Sequence, residues 1–477
     1  MISMEKNYSD AMIRAELIDA VGADHVNSGA ADALGHSIDY YWIPEMWHDR
    51  GGTPRRPDYV VHPGSTEEVA KVMKIANRHK IPVTPWGGGS GSQGGALPMH
   101  GGILLDMKRM NRVLDIDTCS LSVTCETGII AQHLEWAVEK AGYSTMHLPA
   151  SIACSTIGGF LAHRGTGVLS TKYGKIEDMV LSLEVVTPTG EIVRTLPVPR
   201  HASGPDLTML FLGSEGTFGV MTRVTLKIHP APEARKFHAF VFKDMHAAMT
   251  AGAAIMHSRL VPCVIRLYDE SSTEHLIKRV LGIDKKGAYL VFGFDGPEAI
   301  VDLQLARACD LCHREDPEDL GAEMGQIWWD SRYKFFYPPY MFQLPQCFGT
   351  LDTVATFANI ENVYWAMKNI VNQNFPEARF IGHFSHWYDW GCMLYARFIF
   401  EDAPADPMAA VERYNRVWDM ALRAAMREGG VLNEHHGVGL KLARLMPELY
   451  GPAMEVLRGI KRTLDPLNLM NPGKLGF

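Results

Sequence analysis

The spacing of apolar positions along this chain changes several times, and each change marks an element. Tyr59-Val60-Val61 is a short apolar run, Pro63-Gly64 a turn, and Ser65 with Glu68 a capping box that predicts a helix start. Val69, Val72, Met73 and Ala76 then recur on one helical face, and Ile81-Pro82-Val83-Thr84-Pro85 returns to an extended run. A strand-helix-strand unit is predicted. Short strands follow at Ile103 to Leu105, Val113 to Ile116 and Leu121 to Cys125, then an amphipathic helix carrying Ile130, Leu134, Val138 and Ala141. The first fifty residues are polar and loosely patterned, with Tyr40-Tyr41-Trp42 near their end, and predict a short helix and an arm.

After Pro230-Ala231-Pro232 the texture changes to longer alternations of helix and strand, including Ala288 to Gly293 and Met393 to Phe400. That proline-rich stretch is the predicted domain boundary, and no internal repeat or low-complexity tract interrupts either side. Two or three domains suit 477 residues, and 47% hydrophobic with 21% charged residues is a globular composition.

The formal net charge of -8 provides no basic field for phosphate backbones, so nucleic acid is not an expected partner. The opening Met1-Ile-Ser-Met-Glu-Lys has no basic segment before an apolar run, and no stretch of about 18 strongly apolar residues occurs. A cytoplasmic protein without a transmembrane segment is expected. Eight scattered cysteines suit reduced thiols. Cys309-Asp310-Leu311-Cys312-His313 has the spacing of a covalent haem site, but it continues the apolar spacing of Val301, Leu303, Leu305 and Ala306, so a helix core is expected there.

Pro85-Trp86-Gly87-Gly88-Gly89-Ser90-Gly91-Ser92-Gln93-Gly94-Gly95 directly follows a strand. Consecutive glycines let backbone N–H groups turn inward together and form a nest for phosphate oxygens. The loop lacks the Gly-Lys-Ser/Thr of a P-loop, and no helix opens on it as in a nicotinamide fingerprint. Three further glycine-dense runs, His147 to Ser151, Gly158 to Gly167 and Gly213 to Val220, lie between apolar strands. Together they read as a cradle for a large cofactor.

The Pro-Trp-Gly-Gly-Gly-Ser-Gly loop, the Gly-Ser-Glu-Gly-Thr-Phe-Gly-Val run, and the tail Glu434-His435-His436-Gly437-Val438-Gly439 with Asp465-Pro466 and Asn471-Pro472-Gly473-Lys474 resemble the FAD-linked oxidase family from about Tyr59 onward. This family includes D-lactate and glycolate dehydrogenases, vanillyl-alcohol oxidase and the alkylglycerone-phosphate synthases. The synthases are echoed further in Lys172 to Asp178 and Ser203 to Asp206. The resemblance implies an α+β fold: an N-terminal helical arm (1–50), a two-subdomain FAD-binding domain of the PCMH type (51–232), a substrate-binding cap on an antiparallel sheet (233–430), and a C-terminal segment returning to the flavin (431–477).

It also implies that FAD is lined by Pro85, Trp86, Gly87, Gly88, Gly89, Ser90 and Gly91, by Pro149, Ala150, Ser151, Ser155 and Gly158, by His163, Arg164, Gly165 and Thr166, and by Glu215, Gly216, Gly219, Val220 and Met221. Facing the flavin ring it implies His147, Arg266, Tyr395, His435 and His436, with Glu434 beside them. The glycine loop contains no histidine for covalent attachment, so the FAD is expected to be non-covalent. Glu434 stands where the synthases carry the first of three histidines. Tyr395 and His435 stand where the metal-dependent hydroxy-acid dehydrogenases carry a histidine and a glutamate. No metal is therefore expected, and a homodimer using oxygen, a quinone or an electron-transfer protein as acceptor is.

Residue chemistry adds detail. His383 and His386, three apart on a predicted strand, point to opposite faces unless a bulge intervenes. A histidine in the glycine-flanked 435–436 loop suits removal of a hydroxyl proton while hydride leaves the carbon for flavin N5, and the ordinary alternative is a histidine bonded to a backbone carbonyl. Arg266 interrupts an apolar run and needs an anionic partner, either a substrate or Asp269 or Glu270. Tyr395 and Arg397 share a strand face, lining a cavity or an outer face. Trp328, Trp329, Tyr333, Phe335, Trp387, Tyr388 and Trp390 make the cap aromatic, and a Tyr337-Pro338-Pro339-Tyr340 loop over a flavin favours an apolar or aromatic substrate. The expected reaction is oxidation of a hydroxyl-bearing carbon, in an aromatic alcohol or 2-hydroxy acid; the alternative is a synthase-like carbon-oxygen transfer on an acylated ketone phosphate and a fatty alcohol.

Overall fold

A computed structural model describes residues 10–52, 54–335 and 344–477. Phe336 and the Tyr337 to Tyr340 loop lie outside the described residues.

The strand-helix-strand unit forms as patterned. Tyr59–Val61 and Val83–Trp86 flank Ile103–Asp106 in parallel, and Val26–Asn27 adds an antiparallel edge. Helix Thr66–His79 buries Val69, Val72, Met73 and Ala76 against this sheet. Its start is capped by Ser65, whose side chain accepts the Glu68 N–H, while the Glu68 carboxylate reaches past the cap to the Gly64 N–H at 2.7 Å.

The second subdomain is a five-stranded antiparallel sheet in the order 113–117, 122–126, 220–227, 180–186, 192–194. Its sequence-distant pairings, such as Val224 with both Cys125 and Leu183, bring the 213–221 glycine run back beside the first sheet.

A seven-stranded antiparallel sheet follows in the order 318–320, 234–242, 288–296, 264–268, 379–388, 391–400, 347–356. Helices Met245–His257, Glu298–Cys312, Ile360–Asn374 and Pro407–Arg427 pack on it. Every residue of Gly391–Phe400 is buried, because one face meets helix Pro407–Arg427 through Phe398 on Tyr414, while Tyr395 on the other face lines a cavity. Cys312 is buried in this core with Val301, Ala308 and Leu311 of helix Glu298–Cys312, whereas Leu303 and Ala306, read as part of the same stripe, are exposed.

The N-terminal arm joins the two halves. Trp42 stacks on Tyr414 with centroids 5.1 Å apart, its indole N–H donates to Gln346 O, and the Tyr40 N–H donates to Gly89 O of the glycine loop. Among the described residues, no helix is long and apolar enough to cross a membrane.

Candidate functional site

The glycine loop leaves strand Val83–Trp86 and lies against the 151–156 turn. The two segments approach so closely that a Cβ at Gly88 would sit 2.0 Å from Cys154 O, and one at Gly87 would sit 2.3 Å from Thr156 Oγ1. Gly89 takes a φ of 64°, open to glycine at no steric cost. Ser90, Ser155 and Ser151 form a hydroxyl chain at 2.6 and 2.8 Å across the gap.

This wall bounds two cavities. The first is lined by the whole 85–91 run, Ser155, Gly158, His163, Glu215, Gly216, Gly219, Val220 and Met221. The second, the wider, is lined by Pro149, Ala150, Ser151, Gly165 and Thr166 on the cradle side and by Arg266, His383, His386, Tyr395, His435 and His436 on the other. Gly88 to Gly91, Ser155, His163 and His436 border both, so the cavities form one trench running from the cradle to the underside of the large sheet. A narrow backbone-lined groove opening into a wider chamber suits a dinucleotide whose ring system ends in the chamber.

Three predicted residues do not line the trench: Arg164, His147 and Glu434, the last lying beneath its floor. The Arg164 guanidinium turns to Leu212 O at 3.3 Å. His147 is buried against Phe160, both its ring nitrogens lack a hydrogen-bond partner, and burial pushes its pKa down to about 3. Arg266 makes no salt bridge with Asp269, whose carboxylate instead caps Ser272 and accepts the Tyr364 hydroxyl. It faces the second cavity over the Trp328 ring, with its Nε buried and without a partner.

The expectation that His383 and His386 point apart is corrected by a bulge. The pairing of strands Arg379–Tyr388 and Gly391–Phe400 shifts register between Ser385 and Trp387, and His386 takes a φ of 51°. His383, Ser385 and His386 all line the second cavity.

Beneath the chamber two buried carboxylates organise the histidines. Asp352 Oδ1 accepts His436 Nδ1–H at 2.7 Å and Asn433 Nδ2 at 2.8 Å, and Oδ2 accepts the Glu434 and His435 N–H groups at 3.1 and 3.2 Å. Glu434 accepts His386 Nδ1–H at 3.0 Å and the Tyr388 hydroxyl at 2.5 Å, with Lys175 Nζ 3.3 Å away. His435 Nδ1 sits 2.9 Å from Glu434 and 3.3 Å from Asp352, close enough for ion pairing though neither contact has hydrogen-bond geometry. Tyr395 stacks on His383 at 4.8 Å and meets His436 edge-on at 5.1 Å.

Charge follows from this packing. Burial would lower His435, but Asp352 and Glu434 outweigh it and raise the pKa to about 9, so the ring is a cation at neutral pH. Burial lowers His436 below its usual 6.5 despite Asp352, so it is neutral. With Nδ1–H committed to Asp352, its Nε2 carries the free lone pair. Burial would raise Asp352 and Glu434, but the histidines around Asp352, and His386 with Lys175 around Glu434, hold both well below the usual carboxylate range. His386 is pushed down to about 4 by burial and is neutral.

Asp352, His435 and His436, and likewise His386, Glu434 and His435, bring three donor atoms within 4.8 Å of one another. A metal at either set would displace the His436–Asp352 or His386–Glu434 hydrogen bond. Sequence reasoning missed Asp352, Arg332 and Glu45, and named Tyr333, Tyr388 and Tyr40 only as aromatics of the cap and the arm; all lie at the chamber or its floor. A carboxylate inside the apolar run Phe348 to Val354 was the one available signal for Asp352.

Residues 57–196 match the FAD binding domain family, and residues 231–475 match the FAD linked oxidases, C-terminal domain. The chain is 30% identical to an alkyldihydroxyacetonephosphate synthase of Trypanosoma brucei brucei, over 96% of this chain and 80% of that protein. It is 28% identical to the glycolate oxidase subunit GlcD of Bacillus subtilis, over 97% and 96%. A solved alkyldihydroxyacetonephosphate synthase superposes with a TM-score of 0.81 at 26% identity, covering 99% of this chain and 88% of that one. A cradle of glycines opening under an antiparallel cap, matched along nearly its whole length by such relatives, places the chain in the FAD-linked oxidase family of enzymes, with FAD as its cofactor.

Proposed function

We propose that the protein oxidises a hydroxyl-bearing carbon of an anionic substrate, a 2-hydroxy acid, with His436 as the base. The observation that carries this reading is the Asp352–His436 pair, which leaves a neutral imidazole with its Nε2 lone pair free at the junction of the two cavities. FAD, when bound, supplies the acceptor for the hydride that leaves the carbon. The 85–91 loop, the 149–158 segment and the 216–221 run would hold it. His436 Nε2 takes the hydroxyl proton, a contribution of about 10²- to 10⁴-fold. The His435 cation lies alongside and stabilises negative charge developing on the oxygen. Arg266, whose buried Nε has no hydrogen-bond partner among the described residues, receives the carboxylate. Tyr395 and His383 wall the chamber and exclude water from the proton transfer.

Anaerobic mixing of the purified flavoprotein with 2-hydroxy acids and aromatic alcohols tests this. Bleaching of the flavin by hydroxy acids, lost in His436→Asn, is the expected result. A flavin that no member of either class reduces sinks the reading.

A second reading, carbon-oxygen transfer like that named for the trypanosomal relative, draws on the 30% identity over 96% of this chain. Ether product formed from an acylated dihydroxyacetone phosphate and a fatty alcohol, without any electron acceptor, would establish it in place of the first.

A further inference from the structure

We infer that Glu215 is a positioning residue for His436, one that locks the cofactor cradle and the histidine loop into a single body. This rests on His436 being the base. Glu215 belongs to the glycine-rich run and lines the first cavity, yet both its carboxylate oxygens are engaged by the histidine loop. Oε1 accepts the Val438 N–H at 2.5 Å and Oε2 accepts the Gly439 N–H at 2.8 Å, two and three residues beyond His436.

The residue is itself fixed on every side. Its N–H donates to Ala162 O at 2.9 Å, its carbonyl accepts Asn471 Nδ2 at 2.7 Å, and its backbone takes a positive φ of 48°. A left-handed non-glycine residue costs free energy and persists where its surroundings over-determine it. The loop is shaped to receive the carboxylate. Gly437 has a φ of 81°, and a Cβ there would lie 2.6 Å from Glu215 Oε1. A second cradle residue, His163, gives its Nδ1–H to His435 O at 2.7 Å. On the opposite side Asp352 takes the Glu434 and His435 N–H groups and His436 Nδ1–H. The loop thus runs between two buried carboxylates, one on the cap and one on the cradle. Asp352 sets the tautomer and tilt of His436, and Glu215 sets where its backbone stands relative to the flavin groove. Burial raises Glu215 to about 7, against the pull of the two N–H groups, so the grip has an enclosed acceptor with few competing waters.

Glu215→Gln tests this, since it keeps the volume but presents an amide NH₂ to one of the two N–H donors. In the holoenzyme, flavin content and KM for the substrate should stay within a few-fold of wild type. The rate of flavin reduction should fall about a hundredfold, as for a displaced reacting group. Backbone amides of the 434–441 segment should exchange hydrogen faster. Gly437→Ala, which pushes on the same carboxylate with Glu215 intact, should reproduce both effects if Glu215→Gln folds poorly. Unchanged reduction rate and unchanged exchange in either folded variant would overturn the inference, and so would loss of FAD with full activity per remaining flavin. His436→Asn is measured in parallel: if it is silent, the base assignment falls, and the amide exchange still judges Glu215 separately.

Discussion

His436 Nδ1 and Asp352 Oδ1 stand 2.7 Å apart, and the same carboxylate also accepts the backbone N–H groups of Glu434 and His435. One buried acid therefore fixes both the fold of the histidine loop and the tautomer of its second ring.

Replacing Asp352 with asparagine removes the charge and lets either face of the amide meet Nδ1. The imidazole can then turn its N–H toward the chamber. The expected outcome is a fall in flavin reduction rate of about 10²-fold or more at unchanged substrate affinity, read by anaerobic stopped flow.

The pH–rate profile follows from the two rings. His436 must be neutral to accept a proton, and its pKa lies below 6.5, so activity falls as pH drops under that value. His435 is useful as a cation with a pKa of about 9, so activity falls again as pH rises through about 9. Between these limits the rate should rise through about 7 as Glu215 ionises and then hold level, and His435→Asn should abolish the alkaline limb while lowering the plateau.

Arg266 is a half-buried cation over the Trp328 ring, and among the described residues it has no carboxylate partner. Arg266→Leu should raise KM for an anionic substrate by about 10- to 100-fold, the value of a charge-assisted contact, and leave thermal stability unchanged or higher because an unpaired charge is removed. A large drop in melting temperature would show instead that the guanidinium is structural.

Gly88→Ala places a methyl 2.0 Å from the Cys154 carbonyl oxygen, so the glycine loop and the 151–156 turn must part. The strain is about 1–3 kcal/mol. Protein purified from this variant should carry little flavin, measured as the flavin-to-protein absorbance ratio, while circular dichroism stays native.

Glu434 is held well below 4.5 in the folded protein by His386 and Lys175, although burial opposes this. A depressed carboxylate stabilises the fold fully above its unfolded pKa near 4.5, and that stabilisation is lost as pH falls through the folded value. Glu434→Gln should cost about 3 kcal/mol near neutral pH, because Lys175 loses its buried partner. The variant's melting temperature should also decline less than wild type's below pH 4.5.

Local patterning carried much of the fold. Helix Thr66–His79, the strands on either side of it and the long strand Gly391–Phe400 were legible because the apolar spacing in each reports one buried face or two. The four glycine runs were legible as a cradle because close backbone approach tolerates no side chain. The site was only half legible. The 435–436 histidines stood out, but Asp352 lies 84 positions from His436 and pairs with it only through the cap strand. The bulge at His386, which brings His383 and His386 to one cavity, has no local glycine or proline to announce it. Tyr40 and Glu45 sit in a segment whose pattern gave no hint that it closes the chamber.

By itself the sequence determined the elements, the cofactor class and the two histidines, because these depend on short-range periodicity and on glycines that any close-packed phosphate nest requires. Tertiary structure alone decided which ring is neutral and which is a cation, where Glu215 points and what Arg266 faces. Protonation and orientation of a buried group are set by charges and N–H donors within a few ångströms, and here those come from segments 48 to 223 residues apart.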